Sequence, residues 1–363
     1  MRIELVKRDE HSGLMTAVSP LIAVMLTMIC AAILFAISGA DPLEALFRFF
    51  IEPLTEAWSL QEVLVKATPL VLIACGLSVC YLSNNWNIGA EGQFVAGALA
   101  GSILPVMFPD LQGFYTLPVM LLCAALGGAA YAMIPAILKT RFSTNEILTS
   151  LMLVYVANLL LDYLVRGPWR DPQGFNFPET ALFSPAATLP SLAWGRVSIS
   201  VFVALGVAVF LWLMLSRTLR GFQIRVLGES PRAGAFAGFS AKRMTVFAFA
   251  LSGALAGLAG IMEVSGSLNQ LLPTISPGYG FTAIIVAFLG RLNPLAIVVA
   301  GIVLASSYIG GESVQASLGI SDKIASVVQG MLLFFVLACD TLIFYRVRLH
   351  RTVQAASGEG AHV

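Results

Sequence analysis

The sequence predicts an all-α protein that crosses a membrane about ten times, with both termini on the cytoplasmic side. Three observations carry this. Of 363 residues, 58% are hydrophobic and 11% charged, with a mean hydropathy of +0.86, whereas a soluble globular domain carries about 25% charged residues. Apolar runs long enough for a bilayer recur along the chain, and lysine and arginine collect in alternate gaps between them. A net charge of +1 and a pI near 7.6 leave no basic field for nucleic acid, and no polar or low-complexity tract suggests disorder.

The first apolar run starts near Ala17, after Arg2, Lys7 and Arg8, and reaches about Gly39. It shows no convincing small-residue cleavage site, so it is expected to be a first membrane helix and not a removable signal. Nine further spans are expected at 63–83, 93–108, 117–138, 147–165, 197–215, 244–266, 274–290, 294–311 and 324–345. Those at 93–108 and 274–290 are short and rich in Gly and Pro, which predicts broken or tilted helices. With the N-terminus inside, fifteen cations fall in cytoplasmic segments: Arg2, Lys7, Arg8, Lys139, Arg141, Arg217, Arg220, Arg225, Arg232, Lys242, Arg243, Arg291, Arg346, Arg348 and Arg351. The outer segments hold five, Arg48, Arg166, Arg170, Arg196 and Lys323, while Lys66 sits within the second span and can snorkel outward. One transmembrane domain, 17–345, is therefore expected between cytoplasmic tails 1–16 and 346–363.

Chemistry is scarce. The five cysteines lie in apolar runs without a Cys-x-x-Cys pair, and the three histidines, His11, His350 and His362, lie in the polar tails, so neither a disulfide framework nor a zinc site is expected. No Gly-x-x-x-x-Gly-Lys-Ser/Thr phosphate loop occurs, so the chain binds no nucleotide by that device. The Gly253–Gly257–Gly260 run predicts close helix packing, and a similar run spans Ala96–Gly101.

Two segments carry functional signals. The inside loop 216–243 holds six of the fifteen inside cations. There Ser230 and Pro231 supply an N-cap and a first-turn proline, Arg232 to Ala237 can make about two turns, and Gly238 ends them. A basic loop obeying the positive-inside rule is one reading; a coupling helix that enters a groove on a soluble ATPase is the other, with Arg225, Glu229, Ser230, Pro231, Arg232 and Ala233 as its contacts. The second segment, Asn84 to Gln93, is polar and punctuated by Gly89 and Gly92. It reads either as the broken helix of a translocation pathway or as a capped turn in which Asn87 starts the next helix.

These segments also carry a resemblance. Asn87-Ile-Gly-Ala-Glu-Gly-Gln93, Thr144-Asn-Glu-Ile-Leu-Thr-Ser-Leu-Met152, Gly228-Glu-Ser-Pro-Arg-Ala-Gly234, and Ser276-Pro-Gly-Tyr-Gly-Phe281 running into Leu289-Gly-Arg-Leu-Asn-Pro294 are similar to the permease subunit of bacterial ABC importers for nucleosides. That family lies within the sugar, branched-chain amino acid and nucleoside permeases, and the similarity spans about residues 20–345; Glu229-Ser230 stands where many relatives have Glu-Asn. The resemblance implies a multi-pass protein of the bacterial inner membrane that pairs with a second, homologous permease. It also implies two ATP-binding cassette subunits, which use ATP and Mg²⁺, and an extracytoplasmic solute-binding protein. No cofactor is expected on this chain, and ribose or another simple sugar is the alternative cargo.

A nucleoside presents a flat base and a ribose, so aromatics beside glycines at span breaks are candidates for its path: Trp86, Phe94, Tyr279 and Phe281, with Asn87, Glu91 and Gln93 as polar partners. Each aromatic also fits plain packing. Glu91 stands out because an ionisable group at a membrane-depth break is costly without a partner or a pathway; Asp162, Glu263 and Asp340 lie closer to span ends. Asn145 and Glu146 open the fifth span and are inner-gate candidates; alternatively Ser143 or Thr144 caps that helix and Glu146 complements its dipole. A secondary carrier would show paired ionisable residues within its spans, and a membrane enzyme a His, Cys or carboxylate constellation; the sequence is poor in both.

Overall fold

The computed structural model describes residues 2–7, 13–109, 111–192, 195–321 and 323–350, with the backbone alone at 2–7, 13–17, 20, 325, 337 and 340–350. Strand β1 (Arg2–Lys7) precedes α1 (Gly13–Ile37). The short α2 (Pro42–Leu46), a π-helical turn (Phe47–Ile51) and α3 (Glu52–Thr55) follow, then α4 (Ala57–Leu82), α5 (Ala90–Met107), α6 (Thr116–Phe142) and α7 (Glu146–Arg166). After a mostly irregular stretch come α8 (Ser200–Arg217), α9 (Leu219–Glu229), α10 (Pro231–Phe236) and α11 (Ala241–Glu263), which continues as a π turn to Leu268. The chain closes with α12 (Tyr279–Leu289), α13 (Pro294–Leu318), α14 (Lys323–Phe344) and β2 (Tyr345–His350).

Each of the ten expected spans falls on a helix. Among the described residues seven are long and apolar enough to cross a membrane, α4, α5, α6, α7, α8, α11 with its π extension, and α13; Leu21–Ile37 of α1, Ser326–Val336 of α14 and the 11-residue α12 are shorter apolar stretches. The architecture departs from the expected one in four places. The segments taken as tails contribute strands, β1 pairing antiparallel with β2 from Arg2 opposite His350 to Lys7 opposite Tyr345. The outer loop 40–62 is largely helical, because Asp41 caps α2 by accepting from Leu43 N and Glu44 N, with Pro42 at its first position. The segment 93–108 is not broken: α5 runs through it, with Pro105 inside its last turn at the cost of one ladder bond. By contrast, 274–290 divides as expected, into an irregular stretch and the 11-residue α12. The inside loop contains a whole extra helix, α9, capped by Thr218 through Gly221 N.

At the centre, α4 is buried from Ala67 to Tyr81, and α5 and α11 are mostly buried, whereas α6, α7 and α8 bury only about a quarter of their length and turn apolar faces outward. Without a hydrophobic drive between helices in lipid, close backbone approach must hold this core. The two small-residue runs supply it by meeting each other: a Cβ on Gly97 would overlap the Gly257 backbone, one on Gly253 would overlap Gly128 O, and one on Gly260 would overlap Phe94 O. The run at 253–260 is thus a three-way seam of α11 with α5 and α6.

Candidate functional site

Polar chemistry gathers at three levels of the bundle. The first is the break between α4 and α5. Tyr81 donates its hydroxyl to Asn87 O at 3.1 Å, and Ile88 N donates to Ser150 Oγ at 3.2 Å. Asn87 and Gln93 exchange amide hydrogen bonds at 3.0 and 2.9 Å, and Asn87 also donates to Ser252 Oγ at 3.1 Å. Both residues are buried, and their amides are taken up by one another and by Ser252. Asn87 does not start α5, since Gly89 takes the N-cap position; the Asn87 side-chain Oδ1 instead accepts from Gly89 N, closing a local turn.

The second level ties this break to three helix ends. Lys139, near the end of α6, reaches Glu146 Oε1 at 2.6 Å and Asn85 Oδ1 at 2.9 Å, and Thr245 of α11 donates to the same Asn85 oxygen at 3.0 Å. Asn145 caps α7, accepting from Ile147 N at 2.9 Å and Leu148 N at 3.4 Å. The cap is therefore Asn145 and not Ser143 or Thr144, and Ser143 instead takes the left-handed conformation that ends α6. Beside this network Trp86, 41% exposed, and Phe288 sandwich with Tyr81; the Tyr81 and Phe288 rings stack at 5.1 Å and the Trp86 and Phe288 rings at 6.1 Å.

The third level is a polar and aromatic seam. Glu91, buried in the first turn of α5, accepts from Gly280 N at 2.5 Å, so its carboxylate sits on the N-terminal end of α12. Ser276 also contacts it, while accepting from Gly278 N and Tyr279 N. A carboxylate there compensates the positive end of the helix dipole, and the glycine at 280 is required because a Cβ would run into the Glu91 backbone. Phe94 meets Tyr279 edge-on at 6.1 Å, Tyr279 meets Tyr308 at 5.9 Å, and the Tyr308 hydroxyl pairs with Thr282 Oγ1 at 2.7 Å. Tyr279 also hydrogen-bonds Glu263. Lys66 lies 5.9 Å from the Tyr308 ring centre and pairs with Glu312 at 2.6 Å, and one turn earlier on α4 Glu62 pairs with Arg196 at 3.0 Å.

The structure thus brings Glu91, Phe94 and Tyr279 into one seam and places Trp86 with Asn145 and Glu146 at another level. Asn87 and Gln93 lie between α4, α5 and α11, and Phe281 stands apart, 41% exposed and without a ring partner among the described residues. Asp162 pairs with Arg166 at 2.6 Å, and the Asp340 side chain lies outside the described residues. Lys66, Glu263, Tyr308 and Glu312 were not recognised as a set; the available signal was lone charges of opposite sign in separate apolar runs.

The inside loop protrudes. Arg225, Glu229, Ser230, Pro231, Arg232 and Ala233 are all exposed, α10 begins at Pro231, and Gly238 follows it with a positive φ. Ser230 occupies the N-cap position but makes no capping side-chain hydrogen bond. Phe236, at 95% exposed, is the feature sequence reasoning missed here. Among the described residues no group of three or more His, Cys, Asp or Glu side chains could hold a metal ion.

Comparison with known proteins agrees with this layout. Residues 59–337 match the family described as the permease component of the branched-chain amino acid transport system. A glucose ABC transporter permease of Haloferax volcanii is 37% identical over 340 residues, covering 91% of this chain and 89% of that one. A guanosine ABC transporter permease of Bacillus subtilis is 27% identical, covering 96% and 99%, and a nucleoside ABC transporter permease of Lactococcus lactis is 28% identical, covering 87% and 89%. The chain belongs to the branched-chain amino acid transport system permease family, and is a multi-pass permease subunit of an ABC transporter in the cytoplasmic membrane.

Proposed function

We propose that this permease forms the path of an ATP-driven importer for nucleosides. The observation that carries this reading is the seam in which the Phe94, Tyr279 and Tyr308 rings adjoin Glu91, Glu263, Lys66 and Thr282. Aromatic faces suit a flat base, and carboxylate, ammonium and hydroxyl groups suit ribose hydroxyls. Two of the relatives carry nucleoside or guanosine transport in their names, which supports the same cargo. A sugar is the second reading: the Haloferax relative, more identical to this chain, is named for glucose, and the hydroxyl-binding half of the seam would serve either cargo.

In this scheme two ATP-binding cassette subunits hydrolyse ATP with Mg²⁺, and α10 with its flanking residues Arg225 to Ala233 carries their motion into the bundle. A second permease completes the path and an extracytoplasmic binding protein delivers the cargo. The Lys139–Glu146–Asn85 network, with Asn145 capping α7, acts as the inner gate, because its three groups join the ends of α6, α7 and the α4–α5 break and can part together. Trp86, part-exposed, offers aromatic surface beside this network, Phe281, also part-exposed, offers it at the start of α12, and Asn87 and Gln93 keep the break polar.

The test is uptake of radiolabelled adenosine, uridine, ribose and glucose into cells expressing the chain with its partner subunits, with and without an intact ATPase. Nucleoside uptake that needs the ATPase is the expected result. Glucose or ribose uptake with nucleosides excluded would replace the cargo, and uptake indifferent to the ATPase would remove the mechanism.

A further inference from the structure

An open cleft of about 780 Å³ lies between the C-terminal end of α6 and the first turns of α11, lined by Thr140, Arg141, Phe142, Lys242, Arg243, Val246, Phe247 and Ala250. Three cations ring its mouth, all exposed, and among the described residues none has an acidic side chain within ion-pair distance. The acid nearest in sequence, Glu146, is already held by Lys139. Below the mouth the lining turns apolar: Val246, Phe247 and Ala250 follow Arg243 at i+3, i+4 and i+7, so they share its face and lie progressively deeper along a membrane-spanning helix. The guanidinium of Arg220 stands 4.9 Å above the Phe247 ring, extending the positive rim onto α9.

We propose that this cleft binds an anionic phospholipid of the cytoplasmic leaflet, with the phosphate among Arg141, Lys242 and Arg243 and an acyl chain against Val246, Phe247 and Ala250. The two chemistries occur in the order a phospholipid presents them, charge at the interface and hydrocarbon beneath, and basic pockets between spans on the cytoplasmic side are suited to such headgroups. An acidic segment of a soluble partner would satisfy the cations but leave the apolar wall facing lipid. The bound lipid would brace α6 against α11, the two helices whose ends hold Lys139 and Thr245. This inference rests on the chain's place in a membrane and is independent of the cargo.

The test is native mass spectrometry of the full chain in mild detergent, titrated with phosphatidylglycerol or phosphatidylcholine. Wild type should retain phosphatidylglycerol in preference to phosphatidylcholine. The triple variant Arg141→Gln/Lys242→Gln/Arg243→Gln should weaken phosphatidylglycerol binding on the order of a hundredfold, at about fivefold per cation. Ala250→Trp, which fills the wall and keeps every charge, should also weaken it, so the result does not hang on one variant. The paired control Arg225→Gln/Arg232→Gln should leave binding unchanged. Equal retention of both lipids, insensitivity to the triple variant, or an equal loss in the control would each overturn the proposal. So would a triple variant that keeps the lipid but no longer co-purifies with an ATP-binding subunit, which would make the cleft a protein-docking surface.

Discussion

Glu91 and Gly280 are 189 residues apart, yet each makes the other's conformation possible. The carboxylate takes up a backbone N–H that the first turn of α12 cannot satisfy itself, and the missing Cβ at 280 lets α5 approach. Glu91→Ala should therefore lower the unfolding free energy of the detergent-purified chain by about 1–3 kcal/mol, read as a drop in thermal midpoint. Glu91→Gln retains an acceptor and should cost less, while Gly280→Ala should cost at least as much as Glu91→Ala. If Glu91→Gln keeps both its thermal midpoint and its uptake, the residue serves to hold α12 and its charge takes no part in the path. The sequence marked Glu91 as a costly group in need of a partner, but the partner was invisible because it is a backbone N–H on a distant segment. Asn87 and Gln93 were equally conspicuous as polar residues in an apolar chain. Their amides satisfy one another across a helix break, which spacing alone cannot distinguish from an open path.

The seam of α5, α6 and α11 is decided by residues with no side chain at all. Because a Cβ on Gly97 would overlap the Gly257 backbone, neither position has room for a methyl group. Gly257→Ala should destabilise by about 1–3 kcal/mol, and Gly257→Leu should prevent the chain from accumulating in the membrane, which immunoblotting of membrane fractions checks. Where α6 ends and α7 begins, the side chains of Lys139 and Glu146 are 27% and 15% exposed. A double-mutant cycle with Lys139→Met and Glu146→Gln should give a coupling of about 1 kcal/mol, below a fully buried pair because solvent still reaches both groups. Helices were legible from sequence where apolar runs were long, and least so where glycine had two meanings. In α5, Gly97 and Gly101 pack against α11 and Gly92 against α7, and the helix stays continuous. Gly221 and Gly228 bracketed α9 so that it passed for loop, and its mixture of Arg225 with Ile224 and Leu227 gave too weak a stripe to correct that. The half-length of α12 was foreshadowed by its Pro and Gly content; 11 residues rise about 16 Å, roughly half of a bilayer core.

For the molecule as a whole, the recurring apolar segments made a multi-pass helical bundle legible in the sequence, and each of the ten falls on a helix. On the orientation that the positive-inside rule predicts, α10 lies on the cytoplasmic side and offers a partner the most to grip. Its Arg232 is exposed and its Phe236 stands almost free at 95% exposure, although a large aromatic gains nothing from water. Since neither side chain is packed in the bundle, Arg232→Glu and Phe236→Ala should leave membrane insertion and the thermal midpoint unchanged. Their cost should fall on association. Truncating an aromatic anchor at an interface costs about 2 kcal/mol or more, so Phe236→Ala should weaken capture of the ATP-binding subunits by roughly thirtyfold or more. Arg232→Glu, which reverses a charge, should act in the same direction. Co-purification across a dilution series measures the affinity, and uptake in the same cells measures coupling. Loss of uptake with capture intact would make α10 a transmitter of motion that does not contribute to holding the subunits together. If both capture and uptake stay at wild-type levels, the ATPase docks elsewhere, and the exposed Phe236 must meet some other surface.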